Sequence, residues 1–440
     1  MYVQIESGST IEAYTDVRNI SFAPETDVIG ESLPINEFSV DIYTDDSIRN
    51  GADIYLYDDE DNIWAKYWIV YAERMDEYFV HVRAQSKLAL LDRIRLPEML
   101  YDEDSVSSVI SGIMSPVIVV GEDNPVMLDS SDYSVDSSFS SMEISGYCPE
   151  QTARERLLWV CFVLGAYVKT YFTDKIEIAP LDNTDVSVPI EKTYWRPAVS
   201  YGDYVTAVKV TAFSFELDDP TSPSGSRDQV WYDGQYYNVT RTAMTMTNSS
   251  APATAPTNIV SIDDVMLINE DNADDILLRM AQYYFDRVQV DMDAINNAEF
   301  MPGQKLTVYA DEETLVSGYA EKCSFAYGLQ AKSSIHLAAA AEVAAGRLTI
   351  LYKYGTRQIG KKKYLFPVGH QYSIENPYID AQFNKHRYVF RPENQYATGT
   401  VTSGTNTNTQ PCAVALDLEK KTEILHIVSV DDADAIVVEE

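Results

Sequence analysis

Phe38-Ser39-Val40-Asp41-Ile42-Tyr43 alternates apolar and polar residues without a break, which is the period of a strand with one buried face. The pattern returns at Asp53–Tyr57, Trp64–Ala72 and Tyr78–Arg83, with the polar turns Ser47–Gly51 and Asp58–Asn62 between them. Turn signals spaced by about ten residues predict a meander that closes into a small barrel or sandwich. Residues 2–95 read as strands throughout.

Working outward, two helices interrupt this pattern. The first runs from about Ser105 to Met114, with Val106, Val109, Ile110 and Ile113 on one stripe, Asp104 placed to cap it and Pro116 to stop it. The second is read from Pro149, a residue suited to the first helical position, to a stop at Gly165. It is apolar nearly all round, so it belongs in a core. A hairpin follows, Ala166–Phe172 and Lys175–Ala179 about a Thr173-Asp174 turn. Period-2 runs resume at Val205–Phe213 and Val230–Val239, with polar loops at Glu216–Asp228 and Thr247–Asn258. A third helix spans Ala273 to Arg287, capped by Asn272, with Ile276, Leu277, Met280, Ala281 and Tyr284 facing inward. Strands at Val288–Ala294, Lys305–Ala310, Leu315–Tyr327 and Ser333–Ala340 come next. Ala338–Gly346 reads as a linker, and beyond it lies another strand-rich stretch with the loop Thr398–Gln410.

The fold class expected is therefore α+β, mostly β. Two small β-barrel-like domains, 1–100 and 201–342, flank an inserted α/β domain, 101–200, and a C-terminal β-rich module covers 343–440. The inserted domain holds helices near 105–114 and 149–164 and the hairpin 166–179, and the second barrel holds helix 273–287. At 440 residues, two to four cores is the ordinary expectation. An apolar fraction of 45% excludes general disorder, and 31 Tyr against 14 Phe suit half-wet strands and protein interfaces.

Charge narrows the function. The net is −35, with thirty acidic and eight basic residues in 1–150 alone. Specific nucleic-acid binding needs the opposite sign, as does an anionic membrane surface. From 346 to 400 the sign reverses, with nine Lys/Arg, Lys361, Lys362 and Lys363 among them, against three acids. Such polarity fits either plain solubility or a surface that repels one anionic species and meets a basic partner. The start, MYVQIESGST, has no secretory pattern, and the apolar stretch Leu157–Val168 is far short of the ~20 residues of a membrane span. Synthesis in a cytoplasm is the expectation.

Chemical motifs are scarce. The five His (His81, His336, His370, His386, His426) show no HExxH or HxH spacing, and the four Cys (Cys148, Cys161, Cys323, Cys412) no CxxC. His81 and His336 sit in strand alternation and read as structural. Acidic pairs (Asp45-Asp46, Asp58–Asp61, Asp102–Asp104, Asp263-Asp264, Asp274-Asp275, Asp431-Asp432) read as solvated turns rather than glycosidase carboxylates. Trp231-Tyr232 with Tyr236-Tyr237, and Tyr283-Tyr284-Phe285, suit a subunit interface better than a sugar platform. No catalytic, cofactor-binding or metal residue is assigned, and no enzyme is expected.

The order of segments carries a resemblance. Ser32-Leu33-Pro34-Ile35-Asn36-Glu37-Phe38-Ser39-Val40 leads into the first strands, and Ala84-Gln85-Ser86-Lys87-Leu88-Ala89-Leu90-Leu91-Asp92-Arg93 closes them. Ile144-Ser145-Gly146-Tyr147-Cys148-Pro149, Thr152-Ala153-Arg154-Glu155, Leu164-Gly165-Ala166-Tyr167-Val168 and Asp174-Lys175-Ile176-Glu177-Ile178 follow. This succession, over roughly residues 30–340, is similar to the hub proteins of bacteriophage and phage-like particle tails. The resemblance implies a homotrimeric ring of six β-barrel domains in a virion baseplate or tail tip. It implies a hexameric tail tube protein above, a spike or tip protein below, and a lumen through which DNA or an effector passes during host cell entry. Other baseplate proteins would meet the basic 346–400 stretch. The alternative reading is a tail-tip or surface β protein that binds or cleaves host glycan.

Overall fold

The computed structural model describes residues 1–7, 10–114, 117–119, 126–128, 130–188, 192–193, 197–218, 228–296, 299–309, 315–326 and 332–343, and separate strands between 349 and 438. Two compact units are present. The first comprises residues 1–186, 199–306 and 318–341, and the second 187–198, 307–317 and 342–440. As expected, the chain is α+β and mostly β.

The chain opens with seven strands: β1 (Tyr2–Ser7), β2 (Thr10–Tyr14), β3 (Val17–Phe22), β4 (Glu37–Tyr43), β5 (Asp53–Tyr57), β6 (Ile63–Arg74) and β7 (Phe79–Gln85). The alternation that predicts them also buries them. Phe38, Val40 and Ile42 are inside and Glu37, Ser39 and Asp41 face outward, because successive side chains leave opposite faces of a strand.

A 3-10 turn, Lys87–Arg93, leads to a small α/β layer. Its elements are β8 (Arg95–Leu96), β9 (Met99–Ser105), α1 (Val106–Ile113), β10 (Val117–Val119), β11 (Val126–Leu128), β12 (Tyr133–Val135), β13 (Glu143–Cys148), β14 (Gln151–Thr152), α2 (Ala153–Leu164), β15 (Ala166–Lys169) and β16 (Ile176–Pro180). Ser105, not Asp104, caps α1: its hydroxyl accepts from Ser108 N at 3.3 Å. Pro116 lies outside the described residues. The second helix starts four residues later than Pro149 suggests. Gln151–Thr152 is tied into a ladder with Arg95–Leu96, and Thr152 then forms a capping box with Glu155. Glu155 N donates to Thr152 Oγ1 at 3.2 Å, and Thr152 N to Glu155 Oε2 at 2.7 Å. Thr152→Ala should therefore lower stability by about 1 kcal/mol, read as a shift in urea midpoint. Gly165 ends α2 at φ 67°. The core places Leu157, Val160 and Cys161 of α2 among Val109, Ile110 and Ile113 of α1.

The remaining strands are β17 (Asp182–Ser187), β18 (Ala198–Tyr201), β19 (Ala207–Leu217), β20 (Gln229–Tyr232), β21 (Gln235–Thr247), β22 (Ile259–Ile262), β23 (Val288–Ile295), β24 (Gln304–Tyr309), β25 (Leu315–Ala326) and β26 (Lys332–Val343), with α3 (Ala273–Tyr284) before β23. The run Val230–Val239 is not one strand. Asp233 (φ 45°) and Gly234 (φ 79°) break it into a tight hairpin, the two-residue turn whose left-handed backbone matches strand twist. Helix α3 stops at Tyr284 rather than Arg287. Asn272 occupies its cap position without capping it; its side chain accepts from Asn269 N at 2.9 Å and donates to Leu267 O at 3.0 Å. Ala338–Val343 belongs to β26, so the linker reading fails there.

In the second unit, β27 (Thr349–Ile359) pairs antiparallel with β28 (Lys362–Ser373), and Ile436–Val438 extends that sheet. Two three-residue strands, Val401–Ser403 and Asn406–Asn408, pair inside the stretch read as a loop.

One sheet dominates the chain, and its order repeats. The path β3-β4-β7-β6-β5-β1 of the opening strands is matched by β18-β23-β26-β25-β24-β17. Each series takes its strands from the chain in corresponding order: first, second, third, fourth, fifth and sixth of one stand where those of the other stand. The two series join where β25 meets β3, with Phe325 opposite Phe22 and Ala326 opposite Ser21. Phe22, Trp64, Phe172 and Phe325 close that junction, with Trp64 4.9 Å from Phe325 and 5.1 Å from Phe172 between ring centroids. Six-strand units of one order, arranged twice in a chain, are an internal duplication of architecture that no sequence repeat announces.

Candidate functional site: a carboxylate cleft and a repeated histidine rung

The segment that follows β3 runs along β25: Thr26 N donates to Glu321 O at 2.8 Å, and Cys323 N to Pro24 O at 3.0 Å. Asp27 then folds the next turn around its own carboxylate. It accepts from the N–H groups of Ile29 (3.1 Å), Gly30 (3.1 Å) and Ser32 (2.8 Å) and from Ser32 Oγ (2.9 Å). Tyr283 and Tyr284, at the end of α3, stand edge to face with centroids 5.0 Å apart. Tyr283 donates its hydroxyl to Glu321, and Tyr284 is hydrogen-bonded to Glu31. Lys322 Nζ lies 2.9 Å from Glu25 Oε2. Glu25, Asp27, Glu31, Tyr283, Tyr284, Glu321, Lys322 and His336 are among the residues that line an open cleft of about 390 Å³.

Burial raises the Glu321 carboxyl above its ordinary value, against the lowering effect of the Tyr283 hydrogen bond. The sign of the pH dependence follows. Glu321 holds its proton more firmly in the folded than in the unfolded chain, so its contribution to stability is greatest in acid. That contribution falls as pH rises from the unfolded value of ~4.3 through the raised folded value. Glu321→Gln removes the fall, so the variant should gain on the parent in urea midpoint as pH is raised from the ordinary carboxylate range to neutrality. An unchanged difference across that range would refute the assignment.

The histidines form a second feature, present once in each six-strand unit. His81 on β7 stands directly opposite Asp41 on β4, and His336 on β26 directly opposite Asp291 on β23. Each Nδ1 lies 2.7 Å from the aspartate Oδ1. Asn19 Nδ2 donates to the other oxygen of Asp41 at 2.6 Å. Burial would raise the Asp41 carboxyl, but the bonds from Asn19 and His81 outweigh it and hold it below the ordinary range. The two histidines mark equivalent rungs of the duplicated sheet.

The acidic pairs are mostly turn and cap residues. Asp58 accepts from Glu60 N (2.9 Å) and Asn62 N (2.8 Å), and Asp263 is held below the ordinary range by hydrogen bonds from Ser261 and Thr211. Asp274 and Asp275 lie in the first turn of α3, where the helix N-terminus favours negative charge. Asp431 and Asp432 lie outside the described residues, as does Cys412. Burial pushes the thiols of Cys148 and Cys161 up to about 12. Trp231 and Tyr236 face each other across the β20–β21 hairpin, centroids 4.5 Å apart, and both are about half exposed. Among the described residues no three His, Cys, Asp or Glu side chains gather as metal ligands would. No helix among the described residues is long and apolar enough to cross a membrane. The cleft escapes a reading of the sequence because its walls come from segments 297 residues apart, such as Glu25 and Lys322.

No protein-family model matches the chain, and no curated protein matches it. Solved structures do. Prophage tail protein gp18 from Listeria monocytogenes EGD-e aligns with a TM-score of 0.50 at 9% identity, covering 77% of this chain and 94% of that one. The chain has the fold of a phage tail protein. Weaker likenesses are the tail protein from Neisseria meningitidis MC58 (TM-score 0.47, 10% identity, 77% and 96% covered) and the 43 kDa tail protein of prophage MuSo2 from Shewanella oneidensis (TM-score 0.48, 9% identity, 76% and 96% covered). On this tail-protein fold the carboxylate cleft lies at the seam between the two six-strand units, since Glu25 and Thr26 follow β3 and Glu321 and Lys322 lie on β25.

Proposed function

We propose that this chain is a structural protein of a phage or phage-like tail, and within the tail the hub that joins tube to tip. The carrying observation is the duplicated strand order β3-β4-β7-β6-β5-β1 and β18-β23-β26-β25-β24-β17. Three copies of a chain with two like units make six like units, which is the number needed to meet a six-fold tube face to face. A spike or tip protein then occupies the three-fold side. The tail-protein fold supports the reading.

The outward face of β4 and β6 bears Glu37, Asp41 and Glu73, with His81 and Arg83 of β7 between them. Facing a lumen, these carboxylates repel DNA phosphates within a Debye length of ~8 Å and keep the polymer from sticking. Four domains in the order barrel, insertion, barrel and C-terminal module, with boundaries near 100, 200 and 342, complete the proposal. The C-terminal module carries the basic stretch 346–400 and takes an acidic baseplate neighbour. No catalytic step is assigned to the chain.

The test is localisation in purified particles. Antibody to the chain should label one end of the tail, at three copies per particle by quantitative mass spectrometry. Labelling along the tube, or six copies, would reject the hub.

A further inference from the structure

The cleft at the seam holds more acid than the chain neutralises. Four carboxylates line it, Glu25, Asp27, Glu31 and Glu321, against Lys322 and His336. Lys322 is committed to Glu25 at 2.9 Å, and His336 to Asp291 at 2.7 Å. Arg287, just beyond α3, is engaged elsewhere: it donates to Gly202 O at 3.1 Å and lies 4.2 Å from the centre of the Tyr204 ring. Among the described residues, Asp27, Glu31 and Glu321 therefore have hydrogen bonds but no ion pair of their own. Burial does most to raise the Glu321 carboxyl, and the neighbouring Asp27 charge adds to it. A cation entering the cleft would relieve that repulsion.

The kind of cation follows from the walls. A metal ion does not suit these oxygens: Asp27 turns both of its own to N–H groups of its turn, and Glu31 and Glu321 each accept a tyrosine hydroxyl. The volume of about 390 Å³ lies in the range of ~300–1,000 Å³ that encloses organic ligands and side chains. The rings of Tyr283 and Tyr284 wall it at 85° to each other. A guanidinium is flat, stacks on an aromatic face and forks to carboxylate oxygens, and a compact ammonium does this less well. With one oxygen bonded to tyrosine, Glu31 and Glu321 each keep a second for such a donor.

We propose that the cleft takes an arginine side chain presented by a partner protein, its guanidinium held by Glu31 and Glu321 against the Tyr283–Tyr284 pair. The site does not depend on the hub reading. A trimer that takes no arginine would lose the site and keep the ring, and a monomer that takes it would do the reverse.

Calorimetric titration of the full chain at low salt tests this, with the blocked tripeptide acetyl-Gly-Arg-Gly-amide as probe. Saturable binding at one site per chain is expected. Citrulline in place of arginine keeps the shape and removes the charge, and should weaken binding at least about tenfold. The chain carrying both Glu31→Gln and Glu321→Gln, shown folded by its urea midpoint, should lose a like factor. The lysine tripeptide should bind less tightly than the arginine one. Free arginine should also bind less tightly, because its own carboxylate meets the same acids. Absence of saturable binding, equal binding of citrulline, or unchanged affinity in the double variant would overturn the site. The same response to magnesium chloride would reduce it to screening of an acidic surface, and also overturn it. Lysine as tight as arginine would overturn the guanidinium assignment, and free arginine as tight as the peptide would overturn the partner protein.

Discussion

Lys87→Met should destabilise the folded chain by about 3–5 kcal/mol, the range for removing one partner of a buried ion pair. Lys87 Nζ lies 2.9 Å from Asp53 Oδ2 and 2.9 Å from Asp132 Oδ1, and Lys66 Nζ lies 3.0 Å from the same Asp132 oxygen. The side chains of Lys87 and Asp132 are 8% and 5% exposed. Burial alone would lower the Lys87 ammonium, but the two carboxylates outweigh it and hold the group charged. Methionine fills the space and leaves Asp53 and Asp132 with one lysine between them. The network ties β5 and β6 to the 3-10 turn and to the loop before β12, so its loss loosens the inserted layer from the first strands. Adding Asp132→Asn to Lys87→Met should recover part of the loss, because the stranded charge is then gone. A single-variant loss under about 1 kcal/mol in urea unfolding would show that the site is open to water.

The second large effect is expected at Arg156, which is 3% exposed on α2. One guanidinium nitrogen donates to three backbone carbonyls, those of Leu96, Pro97 and Pro149. These carbonyls border the ladder that starts α2, and Pro97 and Pro149 each remove an N–H that a strand would otherwise offer. Arg156→Met leaves the carbonyls buried without a donor, at about 3 kcal/mol. Arg156→Lys should recover part of the loss, because an ammonium also presents three N–H donors from one nitrogen. Hydrogen exchange would show the loss concentrated in residues 95–105 and 143–164; uniform protection changes would contradict a local clamp.

Period and stop signals carry much of the fold. Alternation in Phe38–Tyr43 places β4 within one residue, and Gly165 marks the end of α2 because only a residue tolerant of φ 67° serves there. Local competition hides other features. Pro149 has the chemistry of a helix start, yet the Thr152–Glu155 box three residues on is the better signal. Asp233-Gly234 is masked by the run of strand formers around it, although that dipeptide is a strong hairpin cue. The joining of Phe22 to Phe325 and of Glu25 to Lys322 is illegible in sequence, because register between distant strands leaves no period in either segment. The cleft is invisible for the same reason, and the duplicated order emerges only from pairing.

The central claim is that two like units per chain make a three-copy ring. Size-exclusion chromatography of the full chain with light scattering tests it most directly. The expected result is a stable species of three times 49.5 kDa that survives dilution to nanomolar concentration. A monomer of 49.5 kDa at all concentrations would contradict it.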